Sequence, residues 1–519
     1  MTDVHMDALE MALDALPKRL SGPGGVAGVV KDGKVVAARA WGFADVERGR
    51  ELTAATRLPI CSISKQFTCQ VLLGALGDPA RFDDRVAAYL PRYRDALPTV
   101  RNLCDMQSGL RDYWALTVLQ GAMAEQEFRR EDALPLIARM KTGHFAPGTQ
   151  YSYSNCNFRI LSEIIEAETG RALDELYRQH VWGPAGMEGA VLTADTRHPA
   201  DNVVAYEGND AAGYFPADNG IYWIGDAGIS ASLNDMLAYE CWIDATRDDE
   251  QSLYRRISGK PVFADGRPAA YGYGLAHHQI AGLDFTGHGG ALRGIRAQRL
   301  HSRQARLSAV VICNHEPDTF GAASGLIEAA LGHGVAVPPP IPDGWDGQWL
   351  APNGLLARIT AGRDAAQLSY ATSPDRLTLA APDRLASAGG VMAARSGAGL
   401  RMERPGDNSV ADLTHLPETD RADGATIAGR YTSDELEAEM EIDWRGGAAY
   451  ARFTGMLGSG RWERMAPAGP DVWTLATRRS MDAPAPGDWT LVVKRGAGGA
   501  VAGVTLGCWL ARQIGYRRM

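Results

Sequence analysis

PICSISKQFTCQVLLGAL, residues 59–76, sets Ser62 three residues ahead of Lys65 at the start of an apolar helical run. Two roles fit that spacing. A serine at a helix start commonly caps the first free backbone N–H groups. On a helix over 65–76, however, a side chain three positions away lies on the same face, so the lysine amine can reach the Ser62 hydroxyl near the positive end of the helix dipole. A lysine desolvated in such a pocket loses its charge easily and can take the proton that makes serine nucleophilic. Only seven of the 53 Lys+Arg residues are lysines, and Lys65 alone has serine three positions earlier.

Upstream, GGVAGVVKDGKVVAARAWGFAD (24–45) is two Val-rich runs joined at Asp32-Gly33, a hairpin pattern. Far downstream, RLSAVVICNH (306–315) reads as a buried strand, and FGAASGLIEAALGHG (320–334) as a closing helix ending in glycine. Strands at both ends with helices between predict one α+β domain over 1–333. GVAVPPPIPDG (334–344) has neither helical nor strand period and reads as a stiff linker. Beyond it, LEAEMEIDW puts Leu436, Ala438, Met440, Ile442 and Trp444 on one face and acids on the other, the pattern of a half-buried antiparallel strand. Short strand-like runs between Gly-rich turns continue to the C-terminus. GQW at Gly347 and GRY at Gly429 open two such series, so two related antiparallel β domains are expected, 345–417 and 418–519.

With 519 residues the chain is too long for one core, and 45% hydrophobic with 22% charged residues is the balance of a soluble globular protein. A formal charge of -9 argues against nucleic acid as the main partner. The amphipathic start, with Met6, Leu9, Leu13 and Leu16 on one face, is acidic where a signal peptide is basic, and no apolar run reaches membrane-spanning length. Seven cysteines, an odd number without a CxxC pair, read as reduced and mostly buried. The expectation is a cytoplasmic protein without membrane partners.

Several chemistries are set aside. GVVKDGKV (28–35) nearly spells a phosphate-binding loop, yet it ends in Val and lies on a hairpin. His277 and His278 alternate across a strand and cannot chelate together. HExxH and GxSxG are missing, so no metal or cofactor is expected. Two further motifs carry chemistry. In YSYSNCNFRILSEIIEAETG (151–170), Tyr153 and Asn155 precede an amphipathic helix ending at Gly170. A tyrosine aimed at Ser62 could shuttle its proton, and Asn155 could hold a substrate amide or carbonyl. In FTGHGGALRGIR (285–296), Gly289 and Gly290 in a strand allow close approach of a ligand or backbone, with His288 projecting into it.

In this order, Ser62-x-x-Lys65, Tyr153-x-Asn155 and His288-Gly289-Gly290 resemble the three motifs of the penicillin-recognising serine enzymes, which include DD-peptidases, class C β-lactamases, esterases and D-aminopeptidases. The resemblance covers 1–333, including the flanking QSGLRDYW and PGTQYSYSN. It implies an antiparallel sheet flanked by helices. A Lys-Thr-Gly triplet, the usual third motif, occurs at 141–143, but it precedes the tyrosine motif and so cannot line the far side of the cleft. Histidine in the third motif is a poor partner for a substrate carboxylate, and Arg296 would be the residue to restore anion affinity.

Within that superfamily the chain is similar to the bacterial D-aminopeptidases, in which an α+β catalytic domain precedes two antiparallel β-barrels and a loop of the last barrel enters the active site. The matching stretch is TRRSMDAPAPG (477–487), with Asp482 at its centre. The resemblance implies that Asp482 pairs with a free α-ammonium, that the loop blocks N-acyl extensions, and that the backbone amides of Ser62 and Ala291 form the oxyanion hole. Ser62 would attack, Lys65 and Tyr153 would manage protons, and Asn155 and His288 would position substrate and tyrosine. The partner is a small peptide or amide with a free N-terminal D-residue, and related enzymes imply a homodimer. The alternatives are an esterase or β-lactamase-like hydrolase on the same scaffold, and a catalytically silent binding or sensor protein.

Overall fold

The computed structural model describes residues 4–334, 338–397, 399–419, 423–475, 477, 480–483 and 489–519. Residues 335–337 of the Pro-rich linker, and 478, 479 and 484–487 of the expected active-site loop, lie outside them. The first domain sets helices α1 (Met6–Arg19), α2 (Ser64–Val71), α3 (Tyr113–Leu119), α4 (Asn155–Thr169), α5 (Leu233–Ala245) and α6 (Thr319–Ala330) around a sheet. Its strands are β1 (Gly24–Lys31), β2 (Lys34–Asp45), β3 (Arg50–Glu51), β4 (Tyr271–Gly272), β5 (Leu275–Ile280), β6 (Leu283–Leu292), β7 (Ile295–Ser302) and β8 (Leu307–Cys313). They pair antiparallel in the order β3-β2-β1-β8-β7-β6-β5-β4, so the two ends of the domain's sequence meet at the centre of the sheet.

β1 is buried along its whole length because helices cover both of its faces. Alternate residues serve different cores. Ala27 and Val29 pack with Leu9, Leu13 and Leu16 of α1 and Leu326 and Ile327 of α6, whereas Val26 and Val30 face the core that holds Phe67 of α2 and Leu237 of α5. Met6 does not join this stripe and is 39% exposed. The helix start is pinned where the His5 N–H meets the Ala330 carbonyl at the end of α6, and the buried stripe begins one turn later, at Leu9. The β1–β2 turn uses Asp32 (φ 51°) and Gly33 (φ 74°), the two positive φ values of a type I′ hairpin.

Two barrels follow. Eight strands from Gly347–Leu350 to Ser409–His415 close by pairing first with last, Trp349 opposite His415. A second ring runs from Gly429–Ser433 to Ala511–Arg518 and closes where Ala438–Arg445 pairs with Ala448–Gly455. Gly347 (φ 157°) and Gly429 (φ 146°) open the two rings with nearly the same backbone turn. The strand expected from Leu436 begins at Ala438, because Glu437 has φ 53° and Leu436 is buried from the turn before it.

The first barrel has its own core around Trp345, Trp349, Ile359 and Leu368. The interior of the second barrel, including Tyr431, Met440 and Phe453, is instead continuous with the core of the α+β domain. Gln120, fully buried after α3, joins the two: its Nε2 donates to the Leu436 carbonyl (2.8 Å), and its Oε1 and carbonyl accept from the Met456 (2.8 Å) and Leu457 (3.0 Å) amides. Among the described residues no helix is long and apolar enough to cross a membrane.

Candidate active site

A short strand, Leu58–Pro59, leads into a 3-10 turn at Cys61–Ile63 that runs on into α2. Cys61 holds φ 51°, a left-handed conformation uncommon for a side-chain-bearing residue, and it sits immediately before Ser62. Neither Ser62 nor Ser64 makes a side-chain cap. Ser62 Oγ instead accepts from Lys65 Nζ at 2.9 Å and from the Tyr153 hydroxyl at 2.8 Å.

Lys65 is fully buried and has two further acceptors, Asn155 Oδ1 at 2.8 Å and the Asp226 carbonyl at 2.5 Å. Its Nζ also lies over the Tyr153 ring, 5.0 Å from the centroid. Burial pushes the amine down to about 8, against the upward pull of Asp226, Asp112 and Asp482. Tyr153 moves the other way: burial holds its phenol well above the ordinary range, so it stays protonated and donates to Ser62.

Asn155 opens α4, and its side chain is fixed from behind. Asp112 Oδ1 accepts both from Asn155 Nδ2 (2.9 Å) and from the Asn155 backbone N–H (2.6 Å). Asp112 also caps α3 through Ala115 N–H. Asp226 accepts a hydrogen bond from the buried Tyr113 hydroxyl at 2.9 Å.

β6 forms the opposite wall. Gly290 comes so close to the Ser62 turn that an added Cβ would lie 2.4 Å from the Ile60 carbonyl oxygen. This brings the strand bearing Gly289 and Ala291 alongside Ser62. His288 is buried, and burial together with Lys65 pushes its imidazole down to about 3, so it is neutral. Its Nδ1 lies 2.5 Å from the Gly289 carbonyl and must donate there, which leaves Nε2 to accept from the Tyr271 hydroxyl at 2.9 Å. His288 meets Tyr153 only as a ring neighbour, 6.1 Å between centroids.

Asp482, half-buried and carried by the second barrel, lies near enough to Lys65 for its charge to bear on that amine. Its carbonyl accepts from the Arg293 amide at the β6–β7 turn (3.0 Å), and its Oδ1 from Ser480 Oγ (2.9 Å). Burial, with the negative charges of Asp112 and Asp226, pushes its carboxyl up to about 7. Arg293, 2% exposed, clamps this approach by pairing with Glu207 at 3.1 Å and donating to the Ala124 (2.7 Å) and Asp218 (3.0 Å) carbonyls. Arg296 lies across from Ala291, but its guanidinium donates to the Leu292 and Ile295 carbonyls and pairs with Glu316 at 3.4 Å. It is committed to the hairpin. The Lys-Thr-Gly triplet is a docking element: Lys141 pairs with Glu437 at 3.3 Å, and Glu435 accepts from the Lys141 and Thr142 amides.

Asp112, Asp226 and Tyr271 were missed in the sequence. Asp112 stood inside QSGLRDYW without a distinguishing pattern, and Asp226 acts through a carbonyl that any residue carries. Among the described residues no cluster of three or more His, Cys, Asp or Glu could hold a metal ion.

Residues 9–333 match the Beta-lactamase family, and residues 340–517 match the family described as D-aminopeptidase, domain B. The chain is 64% identical over 517 residues to a D-aminopeptidase of Cereibacter sphaeroides, covering 99% of this chain and all of the relative. It is 46% identical over 527 residues to a D-aminopeptidase of Brucella melitensis, with both chains covered in full. Among solved structures, an octameric penicillin-binding protein homologue from Pyrococcus abyssi superposes with a TM-score of 0.56 at 19% identity, covering 78% of this chain and 99% of the other, a likeness of fold.

Proposed function

The chain belongs to the D-aminopeptidase family, and from that membership and the surroundings of Ser62 we propose that it removes N-terminal D-amino acids, D-alanine foremost, from peptides, amides and esters through an acyl-enzyme. Ser62 attacks the carbonyl, and its proton passes to neutral Lys65 as the Oγ–C bond forms. An amine pushed down to about 8 suits a base near neutral pH. Tyr153, protonated and hydrogen-bonded to Ser62 Oγ, is placed to relay a proton to the leaving amine. The Ser62 and Ala291 amides form the oxyanion hole, a reading supported by the close approach of Gly290 to the Ile60 carbonyl. Asp482 receives the α-ammonium. A neutral His288 and a committed Arg296 leave little to attract a substrate carboxylate, which favours aminopeptidase over carboxypeptidase chemistry.

The observation that carries this reading is Ser62 Oγ held at once by Lys65 and Tyr153. The proposal extends to a cytoplasmic homodimer, supported by seven free cysteines of which six are buried, and by the related enzymes. It also keeps the division at 1–333, 334–344, 345–417 and 418–519, supported by strand pairing confined to each sheet. The test compares D-alanine p-nitroanilide, its L enantiomer and its N-acetyl form, with Ser62→Ala as control. Turnover of the free D-amine alone, abolished in the control, is the expected result. Turnover of the acetylated compound favours the esterase-type reading, and no turnover at all favours a silent receptor.

A further inference from the structure

Lys65 has three hydrogen-bond directions, and two of them end on groups that can only accept as they are oriented: Asn155 Oδ1 and the Asp226 carbonyl. In the neutral amine the two hydrogens go to these acceptors, and the lone pair is left pointing along the third direction, at the Ser62 hydroxyl. This arrangement depends on which way the Asn155 amide faces. Reversed, it would present its NH2 to Lys65, and an N–H donor would compete with Ser62 for the lone pair. Within the site, Asp112 is what prevents the reversal: its Oδ1 accepts from both Asn155 Nδ2 and the Asn155 backbone N–H, and a carboxylate has no hydrogen to offer in return.

We propose that Asp112 is a positioning residue of the reaction, holding the Asn155 amide in the one orientation that leaves the Lys65 lone pair free for the Ser62 proton. Its own seat is shared between domains. Asp112 N–H donates to the Leu510 carbonyl of the second barrel at 2.9 Å, and the neighbouring Arg111 Nε donates to the Arg512 carbonyl at 3.2 Å. The second barrel thus supports the base from behind as well as presenting Asp482 from in front. This inference rests on Lys65 acting as the base. The charged and titratable groups around that amine are Asp112, Asp226, Asp482, His288, Cys61 and Tyr153.

The test uses the full chain, with Asp112→Asn, Asp112→Ser, Asn155→Ala and the Asp112→Asn/Asn155→Ala double variant assayed on D-alanine p-nitroanilide. Losing a buried hydrogen bond to a charged group predicts a fall in kcat of about 10- to 100-fold for Asp112→Asn. Asn155→Ala should fall by a similar factor, and the double variant no further than Asn155→Ala, because Asp112 acts through that amide. Removing the carboxylate and admitting an N–H donor both disfavour the ammonium, so the acid limb of kcat/KM should move to lower pH. A merely structural role would lower the melting temperature without moving that limb. Asp112→Ser retains a capping side chain for α3 and guards against misfolding as the cause. Additive losses, or a normal kcat and acid limb in Asp112→Asn and Asp112→Ser beside an impaired Asn155→Ala, overturn the proposal alone. Normal kcat in both Asn155→Ala and Asp112→Asn overturns the reading of Lys65 with it.

Discussion

Replacing Asp482 by asparagine keeps the shape of its side chain and removes the charge that is assigned to the substrate ammonium. Above about pH 6, the value to which burial pushes the Asp112 carboxyl, the proposed roles require two groups to be in the right form in the free enzyme: Lys65 neutral, with its amine at about 8, and Asp482 ionised, with its carboxyl at about 7. The sign is the same for both, since each must lose a proton. For the wild type, log kcat/KM on D-alanine amide should therefore rise with slope one between pH 7 and 8 and with slope two between pH 6 and 7. The basic limb comes from the substrate, whose α-ammonium has an ordinary pKa of about 7.7 to 8.0. In Asp482→Asn the break at about 7 disappears and the acid limb keeps slope one down to about pH 6. A buried hydrogen bond to a charged partner contributes about 1.5 to 3 kcal/mol. At about 1.4 kcal/mol per decade, this predicts a 10- to 150-fold loss of kcat/KM for the free amine, while the N-acetylated form stays unturned in wild type and variant alike. Initial rates from pH 6 to 9.5 on D-alanine amide, wild type against variant, supply the comparison. A variant within threefold of wild type that keeps the two-step acid limb refutes ammonium recognition by Asp482.

Two further substitutions probe the frame around the site. Gly290→Ala puts a methyl 2.4 Å from the Ile60 carbonyl, so β6 must move away from the Ser62 turn; kcat should fall at least tenfold, and pre-steady-state kinetics should place the loss in acylation. Arg299→Met leaves Glu240 buried without the guanidinium that now holds it at 2.7 and 2.8 Å, both side chains being 0% exposed. The expected cost is about 3 to 5 kcal/mol of stability, read as a lower denaturant midpoint with an unchanged slope.

Ser62 and Lys65 were legible because one helical face carries both, so spacing along the chain is spacing in the fold. Tyr153, Asn155 and His288 lie on separate elements, and only their order with the first motif identified them. The supporting residues left no such trace. Asp112 matters because it faces Asn155 across 43 positions, and Asp226 because its carbonyl meets Lys65 across 161. Composition and periodicity hold no information on such contacts. The same limit explains the barrels. Alternation gave individual strands and the paired GQW and GRY openings, whereas ring closure through Trp349 and His415 is a pairing between opposite ends of a domain. Glu437 shows the local version of the problem, since an alternating pattern continued through a residue whose positive φ ends the strand.

These contacts also decide which experiment can assign the role of the second barrel. Deleting it is the obvious way to ask whether a loop confers exopeptidase specificity. Its core, however, is continuous with that of the α+β domain, and Gln120 would lose its partners at Leu436, Met456 and Leu457. Asp112 would lose the Leu510 carbonyl, and Arg111 would lose Glu435 and Arg512. A truncated chain would expose apolar surface and loosen the support of Asn155 together with the loss of Asp482, so inactivity would follow whether or not the ammonium is read there. Point substitution separates the two effects: on the proposed roles, Asp482→Asn would act on substrate selection with the Asp112–Asn155 contact intact, and Asp112→Asn on that contact with the Asp482 loop in place. Opposite signatures in the two, selectivity lost in one and turnover lost in the other, are what a barrel serving the site from both sides requires.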